Sequence, residues 1–433
     1  MSSVYLFATL DTKGAEADFV RQLLTAYGVA VTLVDVGALG EPAVAADIAR
    51  DRVFALAGSS LEDVRRRADR GEAVTLAADG AAHLAREAFA AGELGGVLGL
   101  GGSAGTSIAT AAMRTLPLGV PKVMLSTLTS GTVRQFVGDK DIFMLNAVAD
   151  IAGINRISRT VLSQAARAMA GLMTLPAPAA AAADKPIVAA TMFGVTTPCV
   201  ERARAVLERA GYEVLVFHAT GSGGQAMESL VAEGLIDGVL DLTTTELADE
   251  HVGGFLSAGP ERLTAAGARG IPQVVSTGAA DMVNFYAPSS VPEKFKDRLF
   301  YRHNANVTLM RTTAGESAAI GADIARKLAA GRGPVAVLLP ARGVSAIDRE
   351  GQPFDDPAAR RALHDAIKRG LPEGQVIELD LHINDVEFAD AAAQRLIELL
   401  APSRERNETE VPDLKNEATK PTEKTENTEH GNS

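Results

Sequence analysis

At 433 residues the chain is too long for one ordinary compact unit, and two domains are the working expectation. Apolar residues make up 47% of it with only 4% aromatic and no Trp, so the cores are filled by Ala, Val, Leu and Ile, which suits helices packed closely on sheets. A formal charge of −12 with no basic run to offset it argues against general nucleic-acid binding, and the single cysteine, Cys199, excludes an intrachain disulfide and fits a reducing compartment.

The opening MSSVYLFATLDTKG has neither a basic leader nor a long apolar stretch, and no later segment reaches the length of a membrane span. The expectation is a cytoplasmic protein with no membrane attachment. Buried strands are predicted at Val4–Leu10, Val29–Val36, Val53–Gly58, Gly96–Gly102 and Lys122–Thr127. Between the first two, Phe19, Leu23 and Leu24 fall at helical spacing and the pattern stops at Gly28. Strand, helix, strand with near-continuous apolar strands reads as a parallel sheet covered on both faces.

An Ala- and Pro-rich stretch then breaks the pattern and reads as a linker over 176–186, closing a first domain at 1–175. The second half repeats the plan. Ile187–Gly194, a helix ending at Gly211 and Tyr212–Gly221 mirror the start of the chain; Gly238–Leu247 parallels Gly96–Thr106, and Gly270–Gly278 parallels Gly119–Gly131. Further strands are predicted at Val335–Pro340 and Gln375–Asp380, giving a second α/β domain at 187–403. The remainder, 404–433, is Glu, Lys, Thr and Asn with almost nothing apolar and reads as a disordered tail. The fold class is therefore α/β, two doubly wound, Rossmann-like parallel-sheet domains related by an internal repeat.

In such sheets ligands collect at the carboxyl ends of the strands. After the fourth predicted strand, Gly101, Gly102, Ser103, Gly105 and Thr106 form a small-residue turn into a helix, where glycines allow close backbone approach and the helix start offers unpaired N–H groups to a phosphate. The turn matches neither a Walker nor a strict dinucleotide pattern, and a glycine turn that only packs the helix on the sheet is the plainer alternative. The first turn offers Asp11, Thr12 and Lys13: Lys13 to neutralise a phosphate, Asp11 to hold magnesium through water, or else Asp11 or Thr12 as a helix cap. Asp35 closes the second strand, where related sheets place an acid on ribose hydroxyls, with a turn role as the alternative. Ser126, Gly131 and Thr132 add hydroxyls and a glycine at the same edge.

The second half is richer in acid and imidazole groups. His218, Glu246, His303 and His382 are its acid–base candidates, although no HxH or HExxH spacing names a metal and a hydrogen-bonded structural role competes for each histidine. Cys199, without a neighbouring His, reads as a small core residue rather than a nucleophile.

TLDTKG, GLGGSAGT, GVPKVMLST, TMFGVTTPCV, FHATGSGG, DLTTTELADE, PQVVSTGAADMVNF, LFYRHN, VLLPARGVSAID and HINDVEFAD, in that order, resemble the Tm-one-like ATP-binding family from about Val4 to Ala401. The resemblance implies an N-terminal ATP-binding domain, with Gly101, Gly102, Ser103, Gly105 and Thr106 at the phosphate turn and Asp11, Thr12 and Lys13 at the first-strand turn. Ala104 stands where many relatives carry another glycine. The leading expectation is a protein binding ATP with magnesium in its first domain and a small anionic metabolite or a partner through its second. A metabolic enzyme with acid–base chemistry in the second domain and a non-catalytic regulatory module are the alternatives, and a homo-oligomer is compatible with each.

Overall fold

The computed structural model describes residues 2–129, 133–176 and 185–409. The first domain runs β1 (Ser3–Ala8), α1 (Leu10–Ala26), β2 (Val31–Asp35), α2 (Arg50–Leu56), α3 (Leu61–Arg67), α4 (Arg70–Ala90), β3 (Leu94–Gly101), α5 (Ser103–Arg114), β4 (Lys122–Ser126), α6 (Arg134–Val137), β5 (Phe143–Asn146) and α7 (Arg156–Thr174). Its five strands are all parallel in the order β2-β1-β3-β4-β5.

Alternation along β1 sorts the two faces. Val4, Leu6 and Ala8 pack with Ala17, Val20 and Leu24 of α1 and Leu162, Ala165 and Met169 of α7. Tyr5 and Phe7 point the other way, onto Ala77 and Ala81 of α4 and Ile108 and Ala109 of α5. The run Val53–Gly58, expected as a strand, is instead largely α2. A short apolar run does not distinguish a strand from a buried helical turn, and here Val53 and Phe54 form one side of a helix lying against α4.

The second domain runs β6 (Ile187–Met192), α8 (Thr197–Arg209), β7 (Glu213–His218), α9 (Ser222–Ala232), β8 (Gly238–Thr243), α10 (Thr245–Val252), α11 (Ala265–Arg269), β9 (Gln273–Gly278), β10 (Met282–Phe285), β11 (Phe300–Asn304), β12 (Val307–Arg311), α12 (Ala314–Ala329), β13 (Val335–Pro340), α13 (Pro357–Gly370), β14 (Val376–Leu379) and α14 (Val386–Thr409). Its parallel sheet has the order β14-β13-β9-β8-β6-β7. Read from β7, this is the first sheet's order with β14 added, so the repeat expected from the sequence is present in the topology. The antiparallel sheet β10-β12-β11, inserted between β9 and β13, has no counterpart among the described residues of the first domain.

The last helix runs on to Thr409; the residues beyond it, like most of the expected linker, lie outside the described residues. The domains touch where Lys140 reaches Ser229 Oγ at 2.6 Å and pairs with Glu233, which also accepts the Leu118 N–H at 2.8 Å. Among the described residues no helix is long and apolar enough to cross a membrane.

The α2–α4 contact depends on a missing side chain. A Cβ on Gly80 would lie 1.9 Å from the Val53 carbonyl oxygen, which is backbone and cannot rotate away. Gly80→Ala is expected to cost about 1–3 kcal/mol through forced separation of the helices, read as a lower denaturation midpoint in urea.

Candidate functional site

The order β2-β1-β3 reverses direction at β1, so the helices after β1 and β3 leave on opposite faces and a crevice opens between their starts. A cavity of about 270 Å³ lies there. Thr9, Asp11, Thr12 and Lys13 enter it from the β1 turn, Val36 to Leu39 from the end of β2, Gly102 to Gly105 from the β3–α5 turn, and Arg70, Ala73 and Val74 from α4.

The start of α5 has no side-chain cap. Its first-turn N–H groups therefore face the cavity side of the turn without the usual Ser, Thr or Asp oxygen. Gly101 and Gly105 serve packing: a Cβ on Gly101 would come within 2.9 Å of Gly105 Cα, and one on Gly105 within 3.0 Å of the Leu100 oxygen. Gly102 has room, with only Thr127 Oγ1 at 3.6 Å, so it keeps the mouth of the turn open rather than allowing a close approach. Ala104 sits in the helical first turn with no positive φ, so it carries no backbone strain.

Of the residues singled out from sequence, Asp11, Thr12, Lys13, Gly102, Ser103 and Gly105 line this cavity. Thr106 and Ser126 do not: both are buried and share a hydroxyl contact of 2.7 Å that ties α5 to β4. Asp35 is also buried. Its Oδ1 accepts the Leu10 and Gly37 N–H groups at 3.1 and 2.9 Å, and its Oδ2 accepts Arg50 Nε at 2.6 Å, which leaves the carboxylate committed to the turn rather than open to a ribose. Gly131 and Thr132 lie outside the described residues.

Asp11 lines the cavity but turns toward the loop after β2. Its Oδ2 accepts the N–H groups of Leu39 and Gly40 at 3.1 and 3.0 Å, and its carboxylate fills the space where a Gly37 side chain would stand. Asp11 is thus a loop clamp in this arrangement, and a magnesium ion would compete with two backbone donors for it. Two residues the sequence reading missed complete the site. Arg70, the first residue of α4, and Asp150, after β5, both line it, and no local motif marks either. Neither Lys13 nor Arg70 makes an ion pair among the described residues.

The second domain's candidates do not converge. Glu246 is fully buried: its Oε2 accepts Arg262 Nε at 2.7 Å, and its Oε1 accepts the Gly221 and Gly224 N–H groups at 2.7 and 3.1 Å. Arg262, equally buried, also forks Asp241 and meets Glu228 at 3.2 Å, a cluster that no sequence spacing announced. Burial pushes the Glu246 carboxyl up against the opposing pull of Arg262. His382 Nε2 donates to the Ser345 carbonyl at 2.9 Å and its Nδ1 accepts the Asn384 N–H at 3.1 Å, while burial holds it below the usual imidazole range. It is a neutral pin between two loops. His218 and His303 are exposed on different strands. The turn after β8, which corresponds to the β3–α5 turn, carries Thr243, Thr244, Thr245 and Glu246, all buried. Among the described residues no His, Cys, Asp and Glu side chains group as metal ligands.

The N-terminal domain of the Uncharacterised protein family (UPF0261) matches residues 2–178, and its C-terminal domain matches 185–400. The chain belongs to this family. A UPF0261 protein of Clostridium tetani is 47% identical over 92% of this chain and 98% of its own length. The tomato (Solanum lycopersicum) ToMV resistance protein Tm-1(GCR237) is 46% identical over 72% of this chain, which spans only 42% of that protein. Among solved structures, a putative UDP-N-acetylglucosamine 2-epimerase from Listeria monocytogenes is 11% identical over 93% of this chain and 97% of its own, with a TM-score of 0.21, too low to support any inference.

In this UPF0261 chain Cys199 is buried and its thiol is pushed up to about 12, so it is a core residue, as its isolation in the sequence suggested. One buried carboxyl with a pH signature is Asp281. Burial and the neighbouring Asp348 carboxylate push it from 3.8 to about 7; its Oδ2 accepts Ser345 Oγ at 2.9 Å, and its Oδ1 has no partner among the described residues. A carboxyl that holds its proton more tightly when folded contributes stability that is whole below the unfolded value and is lost as pH rises through the folded one. Asp281→Asn is therefore expected to gain stability over the parent between pH 4 and pH 8, on the order of 4 kcal/mol, measured as the difference between denaturation curves at the two pH values.

Proposed function

We propose that the first domain binds a nucleotide, with ATP the leading ligand, at the crevice between the β1 and β3 turns. The observation that supports it is the meeting, at the strand-order reversal, of an uncapped helix start with two cations that make no ion pair among the described residues, Lys13 and Arg70. An N-terminal helix end favours phosphate through its free N–H groups and its dipole. Lys13 and Arg70 add charge to that end, and Ser103, Thr9 and Thr12 add hydroxyl donors. Val36, Ala38, Leu39, Ala73 and Val74, on the β2 side, offer an apolar wall for the nucleoside.

Magnesium accompanying the triphosphate would be held through phosphate oxygens and water, as that ion favours, since Asp11 is bonded to Leu39 and Gly40. One site per chain is expected, because the corresponding turn of the second domain is buried and filled by its own Thr243, Thr244, Thr245 and Glu246. The commitment of Glu246 and His382 to internal hydrogen bonds favours binding over acid–base chemistry in the second domain. ATP should then raise the melting temperature without being consumed.

Calorimetric titration with ATP tests this reading. The expected result is a stoichiometry of about one, with Lys13→Met and Arg70→Met each weakening affinity about tenfold or more, as loss of a charge-assisted phosphate contact does. Absence of heat from folded parent protein at millimolar ATP would overturn it.

A further inference from the structure

The antiparallel insert β10-β12-β11 carries a second cavity, of about 420 Å³, which nothing in the nucleotide reading uses. Directly opposed residues of an antiparallel pair share a face. Phe300 with Met310, and Arg302 with Thr308, are such pairs, and Phe285 of β10 stands opposite Thr308 on the other side. Most of this face is sealed by Phe295, which packs with Val283, Phe285 and Met310. At the Arg302–Thr308 end the seal stops and the cavity begins, with Pro288, Val291, Pro292 and Phe300 as its apolar walls.

Two polar features of this cavity are unspent. Thr308 is 4% exposed, and its Oγ1 is buried with no hydrogen-bond partner among the described residues. A buried hydroxyl of this kind ordinarily has a partner. Arg302 makes no ion pair among the described residues. The cavity's one carboxylate, Glu293, is met by Lys296 at 3.1 Å, so the lining carries one uncompensated positive charge.

We propose that this cavity is a binding site for a small organic monoanion, a carboxylate on an apolar body. The carboxylate is forked by the Arg302 guanidinium and accepts the Thr308 hydroxyl, while its hydrocarbon part lies against Phe300, Val291 and Pro292. Arg–carboxylate pairing supplies the planar two-point contact, and a mostly apolar wall with few convergent polar groups is the usual form of a small-molecule site. The site belongs to the element that breaks the repeat between the domains. It does not depend on the nucleotide reading.

Calorimetric titration of the full chain with acetate, butyrate, hexanoate and inorganic phosphate tests it. Affinity is expected to rise along the carboxylate series by up to about fourfold per methylene, with phosphate weaker than butyrate. Arg302→Gln, an exposed change, should weaken hexanoate about tenfold or more at an unchanged melting temperature, and Thr308→Val should weaken it several-fold. Equal affinity across the series, phosphate binding as tightly as hexanoate, no binding at all, or an Arg302→Gln protein that binds hexanoate as the parent does would each overturn the proposal. Should Thr308→Val fail to fold, the Arg302→Gln comparison decides alone.

Discussion

Parallel pairing is the constraint from which the rest of this molecule follows. When every strand of a sheet runs the same way, every strand's carboxyl end and every following helix start fall on one edge, and their unpaired backbone groups gather there. The chain meets that constraint twice, in β2-β1-β3-β4-β5 and again in β7-β6-β8-β9-β13-β14. It resolves the two edges differently. In the first domain the turn at the reversal is left uncapped and open; in the second the matching turn is filled from within by Thr243, Thr244, Thr245 and Glu246.

Buried charge divides the domains in the same way. In the second, Arg262 lies between Asp241, Glu246 and Glu228, every one of them hydrogen-bonded to it, so this buried charge is satisfied by the protein itself. Such a cluster is costly to desolvate and is tolerated only because its partners are complete. In the first domain Asp35 with Arg50 plays that internal role at the end of β2, and Asp11 clamps the loop beside it. Lys13 and Arg70, which make no ion pair among the described residues, line the crevice.

Much of the architecture was legible because apolar runs, glycine stops and their recurrence are local signals. The repeat and the small-residue turn at Gly101–Thr106 stand where the pattern put them and the strands lie within a few residues of it, β1 ending at Ala8 with Leu10 already in α1, whereas Val53–Gly58 does not, since its apolar residues satisfy strand and helix alike. The acid–base candidates were chosen by residue type, and residue type is silent about partners. Glu246 reads the same in sequence whether it faces a substrate or Arg262.

The sequence by itself determined the family, the α/β class, the repeat and the sheet edge that carries the small-residue turn, because hydrophobic period and turn chemistry act over a few residues. Only the tertiary structure decided which side chains at that edge are free. Asp35 and Asp11 are claimed by Arg50 and by backbone groups of a loop distant in sequence, Arg70 is delivered from a helix with no motif of its own, and the insert's Arg302 meets Thr308 only through strand register. Those outcomes rest on contacts between remote segments, and a linear pattern does not encode which remote group arrives.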